Sequence, residues 1–376
     1  MLSTSQILPK KGAKVVVAMS GGVDSSVAAG WLKQQGYEVI GISLQLHDMA
    51  ESVENKFGTC CSLSDISDAR KVAEKLEIPF YVTNMEEEFD AAVVDDFVQE
   101  YLNGRTPNPC VRCNEKVKFR RLMDWALDLG ADFLATGHYA STRYNPESKE
   151  FELLKGEDPE KDQSYFLFAM KQQDLAKCLF PVGMFDKKHV RALASKLGLD
   201  HVANKPDSQE ICFVQARNYK DFIETKVPPS LLHAGPIIDV QGNEVGQHTG
   251  LHQFTIGQRK GIGIASKDPL YVVSIEKDKN AVVVGPESVL FRKRCTVSHL
   301  SWLNAPHLDQ PANFSAKIRY RAKETPVDVF PLLDNRIEVV FHERQRAITP
   351  GQALVLYDGP RVVGGGWIET LPLDPA

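Results

Sequence analysis

The chain has 376 residues, 43% of them hydrophobic and 25% charged, which are ordinary globular values that exclude a disordered or fibrous polymer and suggest two or three domains. A formal net charge of −5 excludes a surface that is basic throughout, so any nucleic acid must be met by local patches. No run approaches the ~20 apolar residues of a membrane span. The opening MLSTSQILPKKG has neither an apolar export core nor an Arg-rich targeting pattern, and seven cysteines, an odd number, point to a reducing cytoplasm where thiols serve chemistry or metals.

In chain order, residues 14–18 (KVVVA) predict a buried strand and 27–35 (VAAGWLKQQ) a helix ended by Gly36. A second strand follows over 37–46. Residues 65–78 carry Ile66, Ala69, Val72, Ala73 and Leu76 as one helical stripe. A third strand is expected over 78–85 and a helix over 87–104. Phe119, Leu122, Met123 and Ala126 mark a further helix ending near Gly130, and 131–140 (ADFLATGHYA) a fourth strand. Strands separated by helices predict an α/β, doubly wound parallel sheet, with ligands beyond the carboxyl ends of its strands. Past residue 215, Gly and Pro become denser and short alternating runs appear, from LYVVSIEK to RVVGGGWIE. These predict a small central β-rich domain and a C-terminal β-barrel. The expected division is 1–218, 219–284 and 285–376.

Between the first strand and helix lies Ser20-Gly21-Gly22-Val23-Asp24-Ser25-Ser26. Glycines permit a tight turn and close approach to a phosphate, and the helix-start amides with the Ser25 and Ser26 hydroxyls form an anion cradle. No lysine follows the glycines, so this is not a Walker A loop. Asp24 is expected to hold a metal or the loop, with helix capping as the plain alternative.

The segment Thr106-Pro107-Asn108-Pro109-Cys110-Val111-Arg112-Cys113-Asn114 leads into a basic run of Arg112, Lys116, Lys118, Arg120 and Arg121 against Glu115. Asn114 is a candidate N-cap, and a helix start beside cations would lower the Cys113 thiol pKa. Half a zinc site is the alternative for Cys110 and Cys113, but adjacent Cys60-Cys61 has the wrong spacing to complete it. Cys212, at the edge of Lys205-Pro206-Asp207-Ser208-Gln209-Glu210-Ile211-Cys212-Phe213, reads alone as a core cysteine. In KIRYR (317–321), strand alternation would put Lys317, Arg319 and Arg321 on one face at ~6–7 Å intervals, near the spacing of backbone phosphates.

SGGVDSS resembles the pyrophosphate (PP) loop of the N-type ATP pyrophosphatases. Taken with GRTPNPCVRCN, ATGHYA, KDQSYFL, KPDSQEICF, FTIGQRKGIGI, KIRYR and TPGQALVLYDG, in that order, the chain resembles the tRNA-specific 2-thiouridylases of the MnmA type. The resemblance implies an enzyme that uses ATP and Mg²⁺ to adenylate the C2 oxygen of the wobble uridine in the tRNA anticodon, then transfers sulfur. It implies Cys113 as nucleophile and Cys212 as persulfide carrier, alternately disulfide-bonded to Cys113. Ala18, Met19, Ser20, Gly21, Gly22, Val23, Asp24, Ser25, Ser26, Leu44 and Gly137 would meet the nucleotide. Asn108, Pro109, Cys110, His138, Lys161, Asp162, Gln163, Arg319, Tyr320 and Gln352 would meet tRNA. Some members carry Asp at the position of Cys110, so that thiol need not be catalytic. A cysteine desulfurase or relay protein would supply sulfur to a monomer with no membrane partner. Two alternatives stay open: an amide- or ureido-forming synthetase on the same loop, and an iron–sulfur cluster on Cys110, Cys113 and Cys212.

Overall fold

The computed structural model describes residues 10–46, 63–207, 211–214, 218–304 and 308–371. Cys60, Cys61 and residues 208–210 lie outside these. The chain forms two compact units: Met1–Val93, Cys110–Gln215 and Gly359–Val363 in the first, and Val94–Pro109, Ala216–Asp358 and Gly364–Ala376 in the second.

In the first unit, Lys14–Ala18 (β1) buries Val15, Val16 and Val17 completely, as a parallel strand covered on both faces must. It pairs in parallel with Glu38–Gln45 (β2) on one side and Phe133–Thr136 (β4) on the other, and β2 pairs with Phe80–Asn84 (β3). The order is β3-β2-β1-β4, extended beside β4 by Cys178–Leu179. Helices Val23–Gln34 (α1) and Leu63–Lys75 (α2) supply the crossovers after β1 and β2, and α1 shares one core with Val190, Ala194 and Leu199. This is the doubly wound sheet that the alternating signals predict.

Three local expectations are revised. α1 begins at Val23, directly from the glycine loop, rather than at residue 27. The helix expected over 87–104 changes pitch: Glu86–Phe89 and Asp95–Leu102 are α, and Asp90–Val94 is a π turn. The fourth strand ends at Thr136. Ala140–Asn145 instead forms an antiparallel hairpin with Glu150–Lys155, to which Arg361 and Val362 add.

In the second unit, Gly235–Asp239, Glu244–His248, Tyr271–Glu276 and Ala281–Gly285 form a four-stranded sheet over a core of Ile237, Leu251, Phe254, Val272, Val282 and Val284. A six-strand barrel closes where Phe291–Trp302 pairs with both Arg336–Arg346 and the final strand from Gly364 on. The strand expected through KIRYR is corrected. The ladder stops at Lys317, because the hairpin must cross to Thr325, and Ala322 N donates to Arg319 O in a turn. Ile318 turns inward, Lys317 lies over the Tyr357 ring, and Arg319 and Arg321 are exposed beside half-buried Tyr320. The three cations therefore do not share a strand face.

Candidate nucleotide and thiol site

The chain leaves β1 through β2 and β3, then crosses back to β4, so the carboxyl ends of β1 and β4 flank the switch point of the sheet, where open α/β sheets bind ligands. Ser20–Ser26 follows β1 there, and Gly137 follows β4. A Cβ on Gly137 would lie 2.6 Å from Ser25 N, so only glycine lets β4 approach the start of α1 this closely. Gly21 has φ +72°, and a Cβ on it would lie 2.1 Å from Asp65 O. Ala18 ends β1, while Met19 and Leu44 are buried, and Met19 is held by Ile42 O and the Ser43 hydroxyl. The Ser25 and Ser26 hydroxyls are turned back into the loop: both donate to Gly22 O (3.2 and 2.8 Å), and Ser20 N donates to Ser25 Oγ. They brace the loop, which leaves the cradle to the backbone amides at the start of α1.

A charged network stands behind the loop. Lys187 Nζ donates to both Asp24 oxygens (2.8 and 2.9 Å) and reaches Asp207 Oδ1 at 2.8 Å. The Tyr139 hydroxyl donates to Asp24 Oδ1 at 2.7 Å. Burial, then the neighbouring Asp24 carboxylate, pushes the Tyr139 phenol well up. Asp24 thus anchors a network and does not cap α1, whose N-cap is Gly22. Asp207 also receives Lys161 (2.9 Å) and Arg191 (3.4 Å). Burial acts to raise the Asp207 pKa, but Lys187 and Lys161 overcome it and hold it low. Lys205 Nζ donates to Asp65 (2.5 Å), Asp68 (2.9 Å) and Gly21 O (3.2 Å). Burial acts to lower the Lys205 pKa, yet those two carboxylates leave it raised. Lys187, Asp65 and Asp68 were not legible as site residues, because nothing in FDKKHV or SLSDISD differs from a solvated helix start.

None of Cys110, Cys113, Cys178, Cys212 and Cys295 is in a disulfide. Cys178 and Cys295 are core thiols, pushed up by burial and then by nearby carboxylates. The expected helix start at Asn114 is corrected. Pro109–Arg112 is already helical and runs into a π turn, Cys113–Lys118, so Cys113 sits inside a helical segment. Proline suits a first helical turn, which moves the start four residues upstream of Cys113. Asn114 instead donates to Phe166 O at 3.2 Å, and Arg112 pairs with Glu115. Cys110 is exposed, Cys113 buried and Cys212 half-buried. Phe213, next to Cys212, packs edge-on to Phe89 (5.7 Å), and the helical turn bearing Phe89 packs against the Cys113 turn. The Cys212 segment therefore packs on a turn that itself lies beside the Cys113 turn. Among the described residues, no three His, Cys, Asp or Glu side chains converge as metal ligands, and no helix is long and apolar enough to cross a membrane.

His138 hydrogen-bonds Thr136 Oγ1 at 2.8 Å and lies between Phe119 and Phe180. Burial, then the Lys118 charge, lowers its pKa to about 3. Its ring-proton NMR shifts are therefore expected to stay flat from pH 8 to 5, where a free imidazole titrates near ~6.5. The unfolded chain takes up a proton below that value and the fold does not. The stability owed to neutral His138 is therefore complete above ~6.5 and declines as pH falls toward the folded value. Asp162 is buried and accepts from Gly156 N, Ser164 N and Ser164 Oγ, and Gln163 exchanges hydrogen bonds with the Tyr139 backbone. Lys161 reaches out to the Asp207 carboxylate.

In the second unit, Gln352 Nε2 donates to Thr106 O (3.0 Å) and Pro107 O (2.8 Å), and Thr106 N donates to Pro350 O. Gln352 thereby holds the stretch that runs into buried Asn108 and Pro109.

The tRNA methyl transferase HUP domain family matches residues 13–216, the tRNA methyl transferase PRC-barrel domain residues 220–286, and the aminomethyltransferase beta-barrel domain residues 292–368. The tRNA-specific 2-thiouridylase MnmA of Geotalea uraniireducens (strain Rf4) is 54% identical over 363 residues, covering 96% of each chain. Its counterpart from Magnetococcus marinus is 50% identical over 355 residues, covering 94% of this chain and 98% of that one. With such identity sustained from the glycine loop to the last barrel strand, the chain belongs to the tRNA-specific 2-thiouridylase MnmA family.

Proposed function

We propose that the chain is an ATP-dependent tRNA sulfurtransferase that makes 2-thiouridine at the anticodon wobble position. One observation carries this reading. The stretch approaching Cys212 is fastened to the glycine loop through Lys205 on Gly21 O and through Asp207 and Asp24 on Lys187. That the stretch leading in sequence to Cys212 is tied to the loop supports reading a phosphate cradle and a thiol as parts of one site. The relatives' names agree with that chemistry. The words methyl transferase in two family descriptions do not, because methyl transfer needs no pyrophosphate loop.

The uridine C2 oxygen is a poor leaving group. It attacks the α-phosphorus of ATP, pyrophosphate departs, and the oxygen becomes an AMP ester. The glycine-loop amides stabilise the departing charge. Asp24 is the carboxylate at the loop that would hold a Mg²⁺ ion, which would supply positive charge against the departing pyrophosphate. Cys212 carries a persulfide loaded by a cysteine desulfurase or relay protein. Its ionised outer sulfur attacks C2, and AMP leaves with the former oxygen. The Cys113 thiolate then attacks the inner sulfur. The sulfur–sulfur bond breaks, the outer sulfur remains on C2, and a Cys113–Cys212 disulfide results, which an external thiol must reduce before the next turnover. Neutral His138, with Asn108, Pro109 and Cys110, is the proposed surround of the extruded base. Lys161, Asp162 and Gln163, and in the barrel Arg319, Tyr320 and Gln352, are the proposed further tRNA contacts. Ala18, Met19, Leu44 and Gly137 are proposed around the adenosine.

The proposed domains are 1–218 (catalytic), 219–284 (central) and 285–376 (tRNA-contacting barrel), in a cytoplasmic monomer. An amide-forming synthetase would give Cys113 and Cys212 no task, and a cluster enzyme would bind iron. The test is mass spectrometry of tRNA nucleosides after incubation with ATP, Mg²⁺ and a sulfur donor. The expected product is 2-thiouridine, with one AMP per base. Pyrophosphate release driven by an amino acid and not by tRNA would defeat the proposal.

A further inference from the structure

The SGGVDSS loop contains no lysine, yet an ammonium stands directly behind it, and that ammonium is shared. Lys187 opens the ten-residue helix Lys187–Lys196, whose N-cap Asp186 accepts from His189 N, and Lys187 N itself donates to Asp158 Oδ2 at 3.0 Å. Its backbone is therefore fixed while its side chain, only 11% exposed, bridges two carboxylates on different segments. Asp24 lies in the first turn of α1, beside the cradle. Asp207 lies in the stretch that continues to Cys212, and Arg191 of the same helix holds that stretch by donating to Ala203 O, Lys205 O and Asp207. A triphosphate and its cation arriving at the loop compete for both halves of the Lys187–Asp24 pair, since the phosphates attract the ammonium and the cation attracts the carboxylate.

We propose that Lys187 is a positioning residue that couples nucleotide occupancy of the glycine loop to the Ala203–Asp207 stretch; this rests on reading the loop as a nucleotide site. Lys187 clamps Asp207 together with Lys161 and Arg191. With Mg·ATP bound, Lys187 turns to the phosphates, Asp207 keeps only the other two cations, and the stretch loosens.

Amide hydrogen exchange of the 199–207 peptide, with and without Mg·ATP, tests this, with binding measured separately by equilibrium dialysis. In the wild type, Mg·ATP should speed exchange about fivefold or more, in the usual range of coupling between sites. Lys187→Met should exchange fast without nucleotide and respond less than about twofold, whereas Lys187→Arg, which can still bridge two carboxylates, should keep the response. Asp207→Asn leaves the Lys187–Asp24 pair in place while weakening the hold of Lys187, Lys161 and Arg191 on the stretch, and should also respond weakly, which decides the matter should Lys187→Met fail to fold. Unchanged or slower exchange in nucleotide-bound wild type overturns the proposal, as does a full response in Lys187→Met or Asp207→Asn. Failure of the wild type to bind Mg·ATP in dialysis overturns the nucleotide reading itself, and the coupling with it.

Discussion

Replacing Cys212 with serine is expected to lower 2-thiouridine formation by at least about 10³-fold, because a hydroxyl cannot carry a transferable sulfur. Cys113→Ser should fall about as far, for a different reason. In that variant the persulfide still loads on Cys212 and still attacks C2, but nothing cleaves its sulfur–sulfur bond, so with tRNA and ATP present a thiol-reducible covalent adduct between Cys212 and the tRNA should accumulate. The double variant should be no worse than either single one, as is usual for groups acting in one sequence of steps. Both single variants should still release pyrophosphate when given tRNA and ATP, since the proposed mechanism puts adenylation before any sulfur chemistry. Cys178→Ala and Cys295→Ala serve as controls: both thiols are buried in core strands, and their loss should affect stability and not sulfur transfer. A Cys212→Ser enzyme that thiolates tRNA at the normal rate would remove the persulfide from the mechanism.

The second large effect belongs to Gly21. Alanine there must adopt φ +72° and bring its Cβ to 2.1 Å from Asp65 O. The left-handed backbone alone costs about 1–2 kcal/mol for a residue with a Cβ. The overlap is with backbone, so either the loop or the start of α2 must shift, and Lys205, which holds both, is displaced with them. ATP affinity in equilibrium dialysis is expected to fall by at least about 100-fold, equivalent to about 3 kcal/mol. Gly36→Ala is the matched control. It has a comparable φ of +87° but nothing within 4 Å of the added carbon. It should show the backbone cost in a melting curve and leave ATP binding unchanged. Equal losses of affinity in the two variants would mean that strain, and not the approach to Asp65, governs the loop.

Much of the catalytic fold was legible because its signals are local. A run such as KVVVA can only be buried on both faces, and glycines at 21, 36, 104 and 130 all take the positive φ that ends or turns an element. The glycine loop was legible for the same reason, whereas Cys212 reads from its own neighbours as a core cysteine and stands out only through the resemblance of the whole chain. Errors arose where sequence neighbours were a poor guide. KIRYR alternates like a strand, but the length of its hairpin partner ends the ladder at Lys317. Asn114 looks like a cap, but Pro109 starts the helix earlier.

The sequence by itself determined the parallel sheet, the glycine loop after its first strand, most of the barrel's strands and, through the family resemblance, the two thiols proposed to act. Only the tertiary structure decided which charges meet: that Lys187 stands between Asp24 and Asp207, that Lys205 ties the Gly21 carbonyl to α2, and that the Ser25 and Ser26 hydroxyls brace the loop. Backbone preference and hydrophobic period act over a few residues and are written locally. An ion pair depends on where segments more than a hundred residues apart come to rest, and no local pattern of Lys and Asp encodes that.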